Sequence, residues 1–170
     1  MIRTIRHFVF ICVFIPAFLA VIFISCGTSP SSGSASTQSG KDQRQRIYMD
    51  YVRAEGYVPS IDEDGDILFK KEGRSYFIII GKNDTSFMQL LLPNIWSIDS
   101  ETERAQVAEA ISYANRRTKV AKAYISGARN QWVSIGVETF FEDPTHFGPL
   151  FPRMMNAIST ANENFEDQMK

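Results

Sequence analysis

Residues 64–93 read DGDILFKKEGRSYFIIIGKNDTSFMQLLLP, and this stretch decides the fold. It contains three runs of β-branched, aromatic and other apolar residues, which are typical of strands. Asp64-Gly65 before the first run is a hairpin signal, and further turns fall at Glu72-Gly73 and at residues 81–84. Turns this short join antiparallel neighbours, because parallel strands need a much longer crossover. The predicted strands of this meander are Ile67–Lys71, 75–81 and 87–92, the last ended by Pro93.

Helical patterns flank the meander on both sides. Before it, the apolar residues between positions 47 and 52 recur at helical spacing, and Gly56 follows as a stop signal. After it, Ser100 and Glu103 have the spacing of a capping box, which predicts a second helix that ends near Arg117.

The rest of the chain predicts two more strands and a last helix. The strands fall at about 119–126 and 131–141, and the second alternates with period two. Asp143-Pro144 is a helix-start signal, and we expect Pro149 and Pro152 to break the opening of that helix. The predicted order is α-β-β-β-α-β-β-α, an α+β two-layer fold in which an antiparallel sheet of about five strands packs with helices.

The N-terminal segment looks like an export signal and a lipid anchor. Residues 1–7 are basic and residues 8–24 are uncharged and apolar, as in a secretory signal peptide. The boundary Phe23-Ile24-Ser25-Cys26-Gly27 resembles the lipobox of bacterial lipoproteins. The resemblance implies cleavage before Cys26, diacylglycerol on its sulfur and a further acyl chain on its amine. It also implies a place in the cell envelope. Gly27 and the absence of an acidic residue before Asp42 resemble Gram-negative sorting signals that permit, without requiring, the outer membrane facing the periplasm.

An uncleaved membrane-spanning helix is the alternative for this segment. Its apolar run is at the short end of the ~17–25 residues that a bilayer requires, and Pro16 lies in the middle of the run. Two observations favour the lipoprotein. Cys26 falls where the apolar run stops, and the residues that follow are small or polar.

A tether predicted over residues 27–41 connects this anchor to the folded domain. The stretch GTSPSSGSASTQSGK has no large apolar side chain, so we expect a flexible spacer. The chain is therefore divided into a signal peptide at 1–25, a lipidated Cys26 with its tether at 26–41, and one domain at 42–170. Cys12 is lost with the signal peptide, so the mature domain has no free thiol and no disulfide.

Familiar catalytic and metal-binding patterns are weak in this sequence. The mature chain has one histidine, His146, among turn-forming residues; a general base and a surface or helix-start histidine are the two interpretations, and we favour the second. Asp62, Asp64 and Asp66 have the spacing of a calcium loop, but Ile67 stands where such a loop needs glycine. The sequence therefore predicts no catalytic residue, no metal site and no cofactor.

The charge balance gives no indication of nucleic-acid binding. The chain has 18 basic and 19 acidic residues, a formal net charge of −1. A nucleic-acid-binding domain normally carries a clustered excess of positive charge. We therefore expect other partners.

Aromatic residues are the candidate binding groups. Trp132, Tyr124 and Phe140 fall on the less apolar face of the last two predicted strands, and Trp96 falls in the connection between a strand and a helix. Mixed aromatic and polar surfaces suit protein recognition. The alternative is that Trp96 covers a core edge and the others pack under a helix.

Residues 51–78, YVRAEGYVPSIDEDGDILFKKEGRSYFI, resemble the opening of the YbjN-like family, also called bacterial sensory-transduction-regulator-like. Tyr113-Ala114-Asn115 and residues 120–125 are similar to the later helix-to-strand passage of that family. The family is similar in fold to type III secretion chaperones, small α+β proteins that hold partner polypeptides and are often dimeric. The resemblance brings no catalytic residues.

Together these observations predict a non-enzymatic, membrane-anchored interaction module that binds a polypeptide in the cell envelope. Its binding surface is expected between helices and sheet or along an exposed strand edge. The resemblance also allows a homodimer. The alternative is an envelope hydrolase or a small-ligand-binding protein, which would show a deep pocket with converging polar groups.

Lipidation is tested by the intact mass of the protein extracted from membranes. We expect a mature chain that begins at Cys26 and carries the added mass of the diacylglycerol and the acyl chain. The control variant Cys26→Ser should stay uncleaved. An unmodified full-length chain would contradict the lipoprotein interpretation.

Overall fold

The computed structural model describes residues 33–170, with side chains from residue 39 onward. The predicted signal peptide and Cys26 lie outside the described residues. The elements in chain order are α1 (Gly33–Ala54), β1 (Ser60–Ile61), β2 (Ile67–Lys71), β3 (Arg74–Ile80), β4 (Phe87–Ser97), α2 (Glu101–Arg117), β5 (Lys122–Ser126), β6 (Trp132–Phe140), a 3₁₀ turn (Pro144–His146) and α3 (Phe147–Met169).

The described strands form one antiparallel sheet with the order β1-β2-β3-β4-β6-β5. This confirms the predicted α+β class and the meander, and adds the two-residue strand β1. The β2–β3 turn is as tight as its sequence indicates. Lys71 pairs with Arg74, and Glu72 and Gly73 between them both have positive φ, 52° and 79°. Two such residues in a row define the hairpin turn that matches the twist of the strands.

β4 does not end at Pro93, and the prediction that it does was wrong. Pairing with β6 shifts register between Leu92 and Trp96 and then resumes to Ser97. Asn94 within this bulge has a φ of 54°. A bulge tolerates proline because its residues leave the regular hydrogen-bond ladder.

α1 begins at Gly33, inside the stretch predicted to be a flexible tether, so over residues 33–41 the structure differs from that prediction. Tertiary contacts account for the difference. The Arg44 guanidinium donates to the carbonyl oxygens of Phe141 and Glu142, and Gln45 donates to that of Gly65 at 2.6 Å. Once docked residues hold a helical turn, the helix extends towards Gly33 without a new nucleation step, even through Gly and Ser residues of low helix propensity.

α3 also differs from the prediction, because its opening is unbroken. Pro149 lies in the first turn, where the missing N–H has no helical partner in any case. Pro152 lies further inside the helix. Phe147 and Phe151 on either side of these prolines are almost fully buried, at 0% and 1% exposure. Their burial, at about 1.5–3 kcal/mol each, outweighs the cost of the proline.

The three helices of the described residues lie on one face of the sheet, and α3 lies between α1 and α2. The side chains that α3 buries against the sheet and its neighbours are Phe147, Phe151, Met154, Met155, Ile158, Ala161 and Phe165. The sheet residues buried beneath the helices include Ile67, Phe69, Ile78, Ile80, Met88, Leu90, Leu92, Val133, Ile135 and Val137. The opposite face of the sheet has no helix over it among the described residues.

The contact between α1 and α3 leads to a prediction about Gly148, for which Gly40 of α1 is the control. A Cβ added at Gly148 would lie 2.2 Å from the Tyr51 ring, whereas the nearest atom to a Cβ at Gly40, Oγ1 of Thr85, is 3.6 Å away. We expect Gly148→Ala to lower the free energy of unfolding by about 1–3 kcal/mol through overpacking. Gly40→Ala, the matched control, should raise it by up to about 1 kcal/mol through helix propensity. Urea unfolding measures both, and a stabilised Gly148→Ala would contradict this packing.

Candidate functional site: the uncovered face of the sheet

The alternation of side chains along the strands defines the face opposite the helices, which we call the open face. Its residues, placed by the strand registers, are Leu68, Lys70, Ser75, Phe77, Ile79, Phe87, Gln89, Leu91, Lys122, Tyr124, Ser126, Trp132, Ser134, Gly136, Glu138 and Phe140. Half of them are apolar or aromatic, an unusual composition for a sheet face that meets water.

An apolar strip crosses the open face at right angles to the strands. Leu68 pairs with Phe77, and Phe77 pairs with Leu91, so three large side chains stand side by side on β2, β3 and β4. Each remains partly exposed. Ile79 adjoins them one step along β3. The strip is therefore a continuous apolar surface with no described element covering it.

A polar cluster lies beside this strip. The Gln89 side-chain amide donates to the Tyr124 hydroxyl at 3.3 Å and to Oε1 of Glu138 at 3.1 Å. With Lys122 and Gly136 these residues line a shallow depression of about 240 Å³. Partial burial raises the pKa of the Tyr124 phenol, and the hydrogen bond from Gln89 offsets this in part. The phenol is therefore neutral at physiological pH and keeps its proton to donate.

Three of the four predicted aromatic residues lie on the open face. Trp132 and Tyr124 are half-buried, and Phe140 is 64% exposed. The ring of Phe140 packs edge-on against Phe87, with centroids 5.5 Å apart. Their role in binding remains a prediction, but the structure places them on one surface with Glu138, as the alternation of β6 indicates.

Trp96 lies elsewhere, because the bulge in β4 turns it to the helix side, where it pairs with Val133. Its indole N–H donates to Oε1 of Glu103 at 2.8 Å, and its ring meets Phe165 edge-on at 6.0 Å. Glu103 also accepts from the backbone N–H of Asp99, so it joins the strand end to the start of α2. The geometry favours a structural role for Trp96 at the core edge, the alternative that the sequence left open.

Sequence reasoning missed the apolar strip. The run Tyr76-Phe77-Ile78-Ile79-Ile80 is apolar at every position, so alternation could not separate its buried face from its open face. The one available signal was that too many apolar residues occur in the strands to fit on a single face. That signal indicates an uncovered apolar surface but does not locate it.

The outer edge of the sheet at β5 is closed by a side chain. The Asn115 amide donates to the carbonyl oxygen of Ala123 at 3.0 Å and accepts from its N–H at 2.8 Å. Asn115 thus takes the outward-facing N–H and carbonyl of Ala123, which an added strand would need at this position. This edge is a poor site for the strand addition that the sequence allowed.

The corner where β6 extends beyond β5 is shaped differently. β5 starts at Lys122, opposite Gly136, whereas β6 continues to Phe140. The N–H of Ala121 donates to the carbonyl of Lys119 at 2.8 Å, which closes a γ-turn around Val120. Beside this turn lies a largely apolar groove of about 290 Å³, whose lining includes Val120, Leu150 and Met154. We call the exposed trio Val120, Phe140 and Leu150 the sheet corner.

His146 and the aspartates of the 62–66 loop, the remaining titratable candidates, do not come together in one site. His146 is exposed and lines none of the five described cavities. Asp62 accepts from the backbone N–H groups of Asp64 and Asp66, so its carboxylate shapes the loop. Within residues 33–170, no group of three or more metal-ligating side chains is arranged to hold an ion. In the same range, no helix combines the length and apolar character needed to cross a bilayer.

No protein-family model matches this chain, and no curated protein matches it. The resemblance to the YbjN-like family therefore remains a prediction. What the structure itself defines is a two-layer α+β domain with a helix-covered face and an open face.

The contact between Asn115 and Ala123 leads to a prediction about how Asn115→Ala changes the stability and the self-association of the protein. We expect Asn115→Ala to lower the free energy of unfolding by about 1–3 kcal/mol, because both hydrogen bonds to Ala123 are lost. The freed edge should also promote self-association, measured by light scattering. Asn156→Ala, at an exposed position of α3, is the control and should change stability by less than about 0.5 kcal/mol. Equal effects of the two substitutions would contradict the role of Asn115.

Proposed function

We propose that this protein is a non-enzymatic, lipid-anchored component of the bacterial envelope whose domain binds a polypeptide on the open face. One observation carries the proposal. The helices pack on a single face of the sheet, and nothing in residues 33–170 covers the strip of Leu68, Phe77 and Leu91 on the other face. Apolar surface of this kind on a soluble domain is typical of an interaction site.

The chemistry of the open face suits a polypeptide. Apolar side chains of a partner can cover the strip, while backbone or polar groups can bond to Gln89, Tyr124 and Glu138 beside it. Aromatic residues such as Phe77 and Trp132 lose little conformational entropy when they are covered, and they commonly dominate binding energies. The face is also broad, running over strands β2 to β6.

Small-ligand binding is the second candidate, and one observation favours it. Tyr124, Lys122 and Glu138 bring a phenol, a cation and a carboxylate to the same depression. Against it, the depression is open and shallow. Ligand pockets normally enclose most of their ligand. Tyr124→Phe separates the candidates, since it removes only the hydroxyl and should leave polypeptide binding largely intact.

Site-directed photocrosslinking in the lipidated protein in cells tests the proposal. A photoreactive phenylalanine at position 77 should form a discrete polypeptide adduct, whereas the same group at the control position Glu109, exposed on α2, should not. Leu91→Ser should weaken the adduct by roughly tenfold or more, since loss of a central apolar contact costs about 1.4 kcal/mol or more.

The folding of each variant is checked by its unfolding midpoint. Equal crosslinking from positions 77 and 109, or an adduct insensitive to Leu91→Ser, would contradict binding on the open face.

A further inference from the structure

The sheet corner exposes three large apolar side chains from three separate elements. Val120 is 65% exposed in the α2–β5 connection, Phe140 is 64% exposed at the end of β6, and Leu150 is 37% exposed in the first turns of α3. Val120 and Leu150 line the same groove, and Phe140 follows Thr139, another lining residue. Phe140 faces the open side of the sheet and Leu150 the helix side, and Val120 lines cavities on both, so the three side chains lie on the two sides of one corner.

The backbone holds Val120 outward in an unfavourable conformation. Its φ is 62°, in the left-handed region that a β-branched residue rarely adopts. The γ-turn from Lys119 to Ala121 fixes it there. A glycine would make this turn with less strain, so the exposed valine carries a steric cost. Strain of this kind collects at functional positions.

The corner lies at the end of the domain from which the chain leads to Cys26. Arg44 of α1 is bonded to the backbone of Phe141 and Glu142, directly after Phe140. α1 continues from Arg44 back to Gly33, about 16 Å along the helix axis. Gly40 passes the β3–β4 turn at Thr85, at the same end of the sheet.

The remaining chain between this helix and the predicted anchor is short. Cys26 is seven residues before Gly33, so the two are separated by at most about 25 Å. The start of α1 would therefore lie within about 25 Å of a lipid on Cys26, and the sheet corner, about 16 Å further along α1, is within reach of the bilayer. Val58, the other strongly exposed valine at 88%, lies against β2 at the far edge of the sheet.

We propose that the sheet corner inserts Val120, Phe140 and Leu150 into the interfacial region of the membrane that holds Cys26. The proposal rests on the lipid anchor of the proposed function and adds a second contact with the bilayer. The apolar side chains of interfacial elements enter such an interface by about 5–10 Å. The contact orients the domain and leaves the strip of the open face available to a partner.

The charges around the corner are mixed. Lys122 lines the depression next to the corner, Arg153 lines the groove, and Glu138 lines both. Attraction to anionic lipid therefore adds little, and apolar insertion is the main contribution. The contact should accordingly persist on zwitterionic vesicles and depend weakly on salt.

Fluorescence quenching in vesicles tests this contact with the full lipidated protein. The mature chain has no free thiol once Cys26 is acylated, so a single cysteine at position 142 takes an environment-sensitive label. In phosphatidylethanolamine–phosphatidylglycerol vesicles with a quencher on the acyl chains, we expect label 142 to be quenched several-fold more than the control label at position 129. Arg129 is exposed in the β5–β6 connection at the opposite end of the sheet.

Substitutions at the corner give the matched comparison. The combined variant Val120→Ser, Phe140→Ser and Leu150→Ser should reduce quenching at position 142 to the level at position 129, while Val58→Ser leaves it unchanged. Circular dichroism and unfolding midpoints establish that each variant is folded.

Each other result overturns the proposal in a recognisable way. Acylated protein with equal quenching at positions 142 and 129 refutes the corner contact alone. A chain without acyl mass refutes the anchor and the corner contact together. If the triple variant keeps its quenching but loses the crosslink from position 77, the corner is part of the polypeptide-binding surface instead.

Discussion

The packing of α3 across one face of the sheet is the contact on which the rest of the structure depends. Phe147, Phe151, Ile158 and Phe165 are buried along its length, and α1 and α2 pack against its two sides. Because the three helices of residues 33–170 share one face, no described element lies over the other face of the sheet. The candidate function is a consequence of this one-sided arrangement.

Much of the fold could be predicted from local chemistry, and the exceptions have a common physical cause. The β2–β3 turn and the Ser100 cap form as their sequences indicate, because both depend on neighbouring residues. The predictions that Pro93 ends β4 and that Pro152 breaks α3 were wrong. A bulge accommodates Pro93, and the buried aromatic face of α3 compensates for the missing N–H of Pro152. The start of α1 depends likewise on distant contacts of Arg44.

The candidate site was predictable only where side chains alternate cleanly. In β6, the period of two predicted that Trp132 and Phe140 share a face, and that face is the open face. In β3 both faces are apolar, so the pattern could not assign Phe77 to either one. Trp96 lies on the other face because the β4–β6 register shifts before it, and no local sequence pattern predicts that shift. The sheet corner could not be foreseen, because it depends on the positive φ of Val120 and on where β5 begins.

Carbene footprinting of the lipidated protein tests the central claim most directly. Labelling of Phe77 and Leu91 is compared between native envelope membranes and detergent-purified protein, with exposed Pro152 of α3 as internal reference. If a polypeptide covers the open face, these two residues should be protected in membranes and labelled after purification, while Pro152 is labelled equally in both. Equal labelling of Phe77 and Leu91 in the two states would contradict a partner on the open face.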